Sequence, residues 1–226
     1  MEESMKVKLI SYSEISSEIV DEFQSSPDLQ DLVAYCARVS NPSNQSNNET
    51  SDRLLRYLIK NQHWSPFEMV NICLEITTTR DIARQILRHR SFSFQEFSQR
   101  YADPVKELNF VLREARLQDT KNRQNSIATD DPILRATWEK LQAELIMAAK
   151  NAYTWAINNG IAKEQARAVL PEGLTESRLY VNGTVRSWIH YISLRQENGT
   201  QKEHADIALM CAEVISKVFP LIKRLD

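Results

Sequence analysis

Apolar residues recur along this chain with two periods, and the switches between them mark its elements. Val7 to Tyr12 reads as a short first strand, and the stretch from Leu29 to Val39 as a helix with Leu32, Val33 and Cys36 on its apolar side. Leu54, Leu55, Leu58 and Ile59 mark a second helix ending near Asn61. Between these two helices, residues 41–52 are rich in Asn, Ser and Glu and nearly without apolar positions, which predicts an exposed loop. Ser65-Pro66-Phe67-Glu68 has capping-box spacing with Pro at the first helical position. The residues after it alternate instead. Val70, Ile72, Leu74 and Ile76 against Asn71, Cys73, Glu75 and Thr77 form the pattern of a half-buried strand. Thr79 stands where it can cap a helix over residues 80–90, with Ile82, Ile86 and His89 on one face and Arg80, Arg84 and Arg88 on the other. Residues 91–107 look irregular.

The longest helix is expected to start at Pro132 behind the cap Asp131 and to end at Asn159-Gly160. Leu134, Trp138, Leu141, Leu145, Ala148, Ala152 and Trp155 recur in steps of three and four, a continuous packing seam. Either the rest of the subunit or a partner subunit can cover it. A short helix runs to Leu170 and stops at Pro171, and residues 177–182 read as a strand. Thr184 or Gly183 caps a helix through Leu194. Thr200-x-x-Glu203 has capping-box spacing before a last helix with Ile207, Cys211, Val214 and Val218 facing inward. No internal repeat is evident. The balance is a helix-rich α+β single domain over residues 1–226, with strands too few and too separated for a wound parallel sheet.

Composition narrows the chemistry. A net charge of −2 gives no global basic field for nucleic acid, so a local arginine cluster stands out. Cys36, Cys73 and Cys211 have no CxxC spacing and read as reduced, buried structural thiols of a cytoplasmic protein. The opening MEESMKVKLI has no apolar signal region, and no apolar run is long enough for a membrane span. His63, His89, His190 and His204 show no metal-ligand spacing, so no protein-held metal is expected. The four glycines form no GxGxxG, which argues against a Rossmann-type nucleotide site.

The cluster itself runs from Arg88-His89-Arg90 to Ser98-Gln99-Arg100-Tyr101, preceded by the stripe Arg80, Arg84, Arg88. Like charges four apart repel, so an anion or a carboxylate elsewhere in the fold must offset them, and guanidinium forks match phosphate. Phe92, Phe94, Phe97 and Tyr101 interleave with these arginines, residue types that also stack bases. The balanced overall charge and the confinement of basic residues to one segment argue against a nucleic-acid module.

Arg-His-Arg, seven residues, Ser, then Gln-Arg-Tyr resembles the signature of the flavin-dependent thymidylate synthases. That resemblance implies a small, largely antiparallel sheet in a helix-rich fold. It also implies reductive methylation of dUMP with FAD, NADPH and methylenetetrahydrofolate, and no cysteine nucleophile. By it, dUMP contacts fall on Gln85, Arg88, Glu96, Ser98, Gln99, Arg100, Arg167 and Arg195, and flavin contacts on Ser40, Ser65, Glu68, Arg88, His89, Arg90, Arg186 and His190. Arg195 would stabilise charge on the activated pyrimidine, Ser98 would position the substrate and His63 would act near the flavin or folate. The family also implies a homotetramer whose active sites draw on several subunits. Met69, Gln95, Thr184 and Gly199 depart from residues common in the family, so the nucleotide half of the signature matches better than the flavin half.

Overall fold

Antiparallel pairing around one strand organises the molecule. The computed structural model describes residues 5–23 and 25–224; the acidic first four residues, Gln24 and the last two lie outside the described residues. The elements are β1 (Lys6–Tyr12), α1 (Leu29–Ala37), α2 (Ser51–Lys60), β2 (Asn71–Thr79), α3 (Arg80–Ile86), β3 (Ser93–Glu96), α4 (Pro104–Glu107), β4 (Arg116–Gln118), β5 (Ser126–Ala128), α5 (Pro132–Asn158), α6 (Lys163–Ala166), β6 (Glu176–Thr184), α7 (Val185–Gln196) and α8 (Lys202–Ile215). The main sheet has the order β1-β2-β6-β3, with every pair antiparallel. A helix-rich α+β fold with a small antiparallel sheet is thus what forms.

The alternation of β2 sends Ile72, Leu74 and Ile76 fully inside, where they meet Leu179 and Val181 of β6, with α7 and α8 completing the core. Burying such side chains stabilises each by about 1.5–3 kcal/mol. Trp188 of α7 is buried and donates its indole N–H to the Ile72 carbonyl at 3.0 Å, so the helix is pinned to the sheet by a satisfied polar atom. Gly183 lies against the Phe92 ring so closely that a Cβ there would overlap it. Register along β6 sets Glu96 opposite Leu179, beside α3.

Several local expectations are revised. Within residues 41–52, the stretch 44–48 and Thr50 are half-buried and Ser51 is buried rather than exposed, where Arg38 donates to the Asn47 carbonyl and, at 2.8 Å, to Thr50 Oγ1. The Ser65–Glu68 segment is a 3-10 turn without a side-chain cap. Thr79 is the N-cap residue of α3 as expected, but its side chain makes no capping bond, since its hydroxyl donates to Asp81 Oδ1 at 2.5 Å and accepts from Arg113 Nη2 at 2.5 Å. That helix ends at Ile86, and residues 91–107 hold β3 and α4 rather than irregular chain. The β4–β5 hairpin had no signal in the alternation. Thr200 forms no capping box: Gln201 is the N-cap of α8, and Glu203 is held by Arg116 at 2.6 Å and Arg113 at 3.2 Å. Cys211 is buried, whereas Cys36 and Cys73 are half-buried.

The ends of α5 follow expectation. Asp131 accepts from the Ile133 and Leu134 amides, and Gly160 takes φ +78° just past the last turn. Its seam does not face the core. Trp155 is 62% exposed and Leu141 53%, while Gln142, Ile146, Ala149, Tyr153 and Ala156 are the buried face.

Candidate functional site

Glu96, the last residue of β3, is the centre of a cationic cleft. Arg84 Nη2 donates to both of its carboxylate oxygens, at 2.8 and 2.7 Å, Ser177 Oγ donates at 2.8 Å, and Arg80 lies at 3.6 Å. The arginine stripe of α3 is therefore offset by a carboxylate delivered from the neighbouring strand, in charge-assisted bonds. Glu96, Ser98, Gln99 and Arg167 line this cleft with Arg80, Arg84 and Glu172, around a cavity of about 620 Å³. Burial lowers the Arg80 pKa; Glu96 opposes that shift, while Arg84 and Arg167 add to it. Cations thus outnumber the carboxylates that tie them down. Gln99 is buried, and among the described residues its Nε2 has no hydrogen-bond partner. An anion bearing hydrogen-bond acceptors would complete both accounts.

A second group forms where α3, α7 and α8 meet. Gln85 Nε2 donates to Gln201 Oε1 at 2.8 Å, and Gln85 Oε1 lies 3.1 Å from His204 Nδ1. His204 Nε2 is 3.1 Å from the Tyr191 hydroxyl. Arg195 Nε donates to His89 Nε2 at 2.9 Å, and the His89 ring stands edge-on to Tyr191 at 4.9 Å. Burial, then the Arg195 charge, lowers the His89 pKa to about 4. Burial, with Arg195 and His89 behind it, takes His204 to about 3, so both rings are neutral near pH 7. Burial alone would raise Glu203, but the hydrogen bond from Arg116 and the Arg113 and Arg116 charges bring it to about 2.

The expected flavin residues gather in a third place, where α7 begins against the 3-10 turn at 65–68. Arg186 pairs with Glu68, and His190 packs tilted against Trp64 with ring centres 4.5 Å apart. Ser40 and Ser65 are exposed, and Ser65 lines an apolar hollow with Tyr35, Cys36, Val39, Pro66 and Met69. His63 is exposed beside Tyr57. Arg88 and Arg90 project from the chain after α3, exposed and in no ion pair among the described residues. Arg100 is exposed too, 3.8 Å from Glu164.

One subunit thus separates the expected nucleotide contacts. Glu96, Ser98, Gln99 and Arg167 share the cleft; Gln85 and Arg195 sit on the α3–α7–α8 side; Arg88 and Arg100 stand free of both. His204, Gln201 and Tyr191 had no sequence signal for these roles and Glu203 was expected only in a cap, since each gains its role from partners distant in the chain. The stacking surface required for a nucleic-acid module is reduced to Tyr101, which is 88% exposed, because Phe92 is buried on Trp188 and Phe94 and Phe97 are half-buried.

Known proteins place the chain in a family. Residues 19–221 match the family model described as thymidylate synthase complementing protein. The chain is 47% identical over 223 residues to a probable flavin-dependent thymidylate synthase of Paramecium bursaria Chlorella virus 1, covering 98% of this chain and 99% of that one. It is 50% identical over 191 residues to a flavin-dependent thymidylate synthase of Synechocystis sp., covering 84% and 86%. Among solved structures, a UMP/dUMP methylase, PolB, from Streptomyces cacaoi, bound with 5-Br dUMP, superposes with a TM-score of 0.78 at 25% identity, over 98% of this chain and 93% of its own.

Proposed function

We propose that this chain, which belongs to the family of the flavin-dependent thymidylate synthases, methylates dUMP to dTMP reductively. Methylenetetrahydrofolate is the carbon donor and NADPH the reductant. The observation that carries the reading is the cleft that Arg80, Arg84 and Arg167 line with Glu96, together with Gln99, whose Nε2 has no partner among the described residues. A nucleotide monophosphate supplies the anion and the acceptors that this cleft lacks. The 5-Br dUMP bound by the fold's structural neighbour is a ligand of that class.

The residues present fit a flavin. Its pyrophosphate requires cations, and Arg88 and Arg90 are exposed without ion-pair partners among the described residues, while Arg186 and His190 stand over the turn bearing Ser65 and Glu68. Bound FAD would supply hydride chemistry that no side chain offers. Ser40, Ser65, Glu68, Arg186 and His190 would hold it together with Arg88, His89 and Arg90.

The chain's own contribution is binding and charge placement. Arg167 and Arg100 take the phosphate, Glu96 and Gln99 orient the nucleotide, and Ser98 positions the ring. Arg195, its Nε engaged by His89, keeps its terminal nitrogens for charge that develops on the pyrimidine. Neutral His89 makes that possible, because an imidazolium could not accept the bond. No thiol is required. Burial raises the pKa of Cys36 and Cys73, the opposite of what a nucleophile needs. His63 serves the folate side.

Because one subunit separates the expected contacts, the complete site is assembled between copies in a homotetramer. The exposed apolar face of α5 is the surface that buries against another copy. Each copy folds as a single domain in the cytoplasm. Among the described residues no helix is long and apolar enough to cross a membrane.

The test is an absorption spectrum of the purified protein before and after gel filtration with FAD and dUMP. The reading expects retained flavin absorbance. Colourless protein after incubation with FAD overturns it.

A further inference from the structure

One hydrogen-bonded chain links α3 to α8, and its direction is dictated from one end. Glu203 is ionised and accepts from Arg116 at 2.6 Å and Arg113 at 3.2 Å; a carboxylate has no proton to give. Gln201 must therefore turn its Nε2 toward Glu203 Oε2, as it does at 3.0 Å, and its Oε1 toward Gln85. That oxygen receives Gln85 Nε2 at 2.8 Å. Gln85 Oε1 then faces His204 and can only accept, so His204 carries its proton on Nδ1, at 3.1 Å. His204 Nε2 is left as an acceptor for the Tyr191 hydroxyl, at 3.1 Å. Every member is a donor or an acceptor by necessity. His204 is fully buried and Tyr191 nearly so, which makes reversal of any link costly.

At the middle of this chain Gln85 is half-buried and has one Nε2–H and one Oε1 lone pair without partners among the described residues. We propose that His204 and Gln201 are positioning residues that lock the Gln85 amide in one orientation, so that it reads a uracil edge and rejects cytosine. This rests on the reading that Gln85 contacts the nucleotide. The chemistry follows from the two bases. Uracil presents an N3–H donor beside a carbonyl acceptor, whereas cytosine presents an N3 acceptor beside an amino donor. A free primary amide serves either by a flip that exchanges its oxygen and nitrogen. A clamped amide serves one of them, and the alternative leaves polar groups unpaired.

The experiment compares dUMP and dCMP binding to the FAD-loaded full-length protein by titration calorimetry, in wild type, His204→Leu, His204→Asn and Gln201→Leu. Leucine removes the donor to Gln85. Asparagine keeps one, because its Nδ2 takes the place of the imidazole Nδ1. Wild type is expected to prefer dUMP. His204→Leu and Gln201→Leu should each narrow the dUMP-to-dCMP ratio about five- to tenfold, the effect of one orienting hydrogen bond. His204→Asn should restore the ratio to within about twofold of wild type, whereas loss of packing alone would not be repaired by a smaller polar side chain. Wild-type dUMP preference unchanged in folded His204→Leu overturns the inference. Should that variant not fold, Gln201→Leu, altered at a half-buried helix cap, decides in its place. A wild type that binds FAD but not dUMP overturns the nucleotide reading instead.

Discussion

Arg195 and His89 are joined by a single bond, Nε to Nε2 at 2.9 Å, in which the arginine donates and the histidine accepts. The pairing uses one N–H of Arg195, leaves its two terminal nitrogens without a hydrogen-bond partner among the described residues, and requires a neutral imidazole. A lysine at 195 has no fork with which to meet His89 and the substrate at once. Arg195→Lys should therefore lower kcat by about a hundredfold or more while FAD retention on gel filtration stays near wild type. Steady-state dTMP assays with a parallel flavin spectrum check this, and near-normal turnover would remove Arg195 from its role.

Buried neutral histidines also make stability depend on pH. In the unfolded chain His89 and His204 take up protons near pH 6.5, whereas in the fold they refuse them until about pH 4 and about pH 3. Below pH 6.5 the unfolded state thus binds more protons, and stability falls as pH falls. The slope is up to about 1.4 kcal/mol per pH unit for each histidine. Glu203, held near 2, adds a loss in the same direction as pH drops below about 4.5. Urea unfolding at pH 7.5, 6 and 5 should show the decline, with a shallower one in His204→Asn. A flat profile would mean that these rings are accessible to protons in the fold.

The thiols give a third test. Cys211 is fully buried, with its pKa pushed beyond the ordinary range for a thiol, and Cys36 and Cys73 are raised as well. Replacing all three by alanine should leave dTMP formation within about threefold of wild type, because the proposed mechanism forms no covalent bond from the enzyme to the pyrimidine. Loss of turnover in a folded, FAD-loaded triple variant would reinstate a cysteine nucleophile.

Exposed apolar side chains on α5, including Leu141, Leu145 and Trp155, form a stripe along a helix of 27 residues. Placing glutamate at 141 and 145 should shift the mass seen by light scattering from the proposed tetramer to smaller species. Turnover should fall with it, because the proposed site draws on more than one subunit. A wild-type protein that is monomeric and active contradicts the shared site.

Much of this molecule could be read from residue order alone, and the exceptions share a cause. The alternation from Val70 to Ile76 and the caps Asp131 and Thr184 depend on neighbours within a few positions, and they formed as expected. The α5 seam had the right period and the opposite face, because a period says that a stripe is apolar and not which surface covers it. Thr79 and Glu203 were each drawn from capping by Arg113, more than thirty residues from the first and about ninety from the second. In the site, the Arg-His-Arg segment and Ser98 to Arg100 were visible because they are contiguous. His204, which meets Gln85 across 119 positions, carries no local pattern at all.

The most direct test of the account is dTMP formation from dUMP by the purified protein supplied with FAD, methylenetetrahydrofolate and NADPH. The account predicts turnover that requires each of the three and persists without any thiol. A protein that binds both FAD and dUMP yet forms no dTMP under these conditions would contradict it.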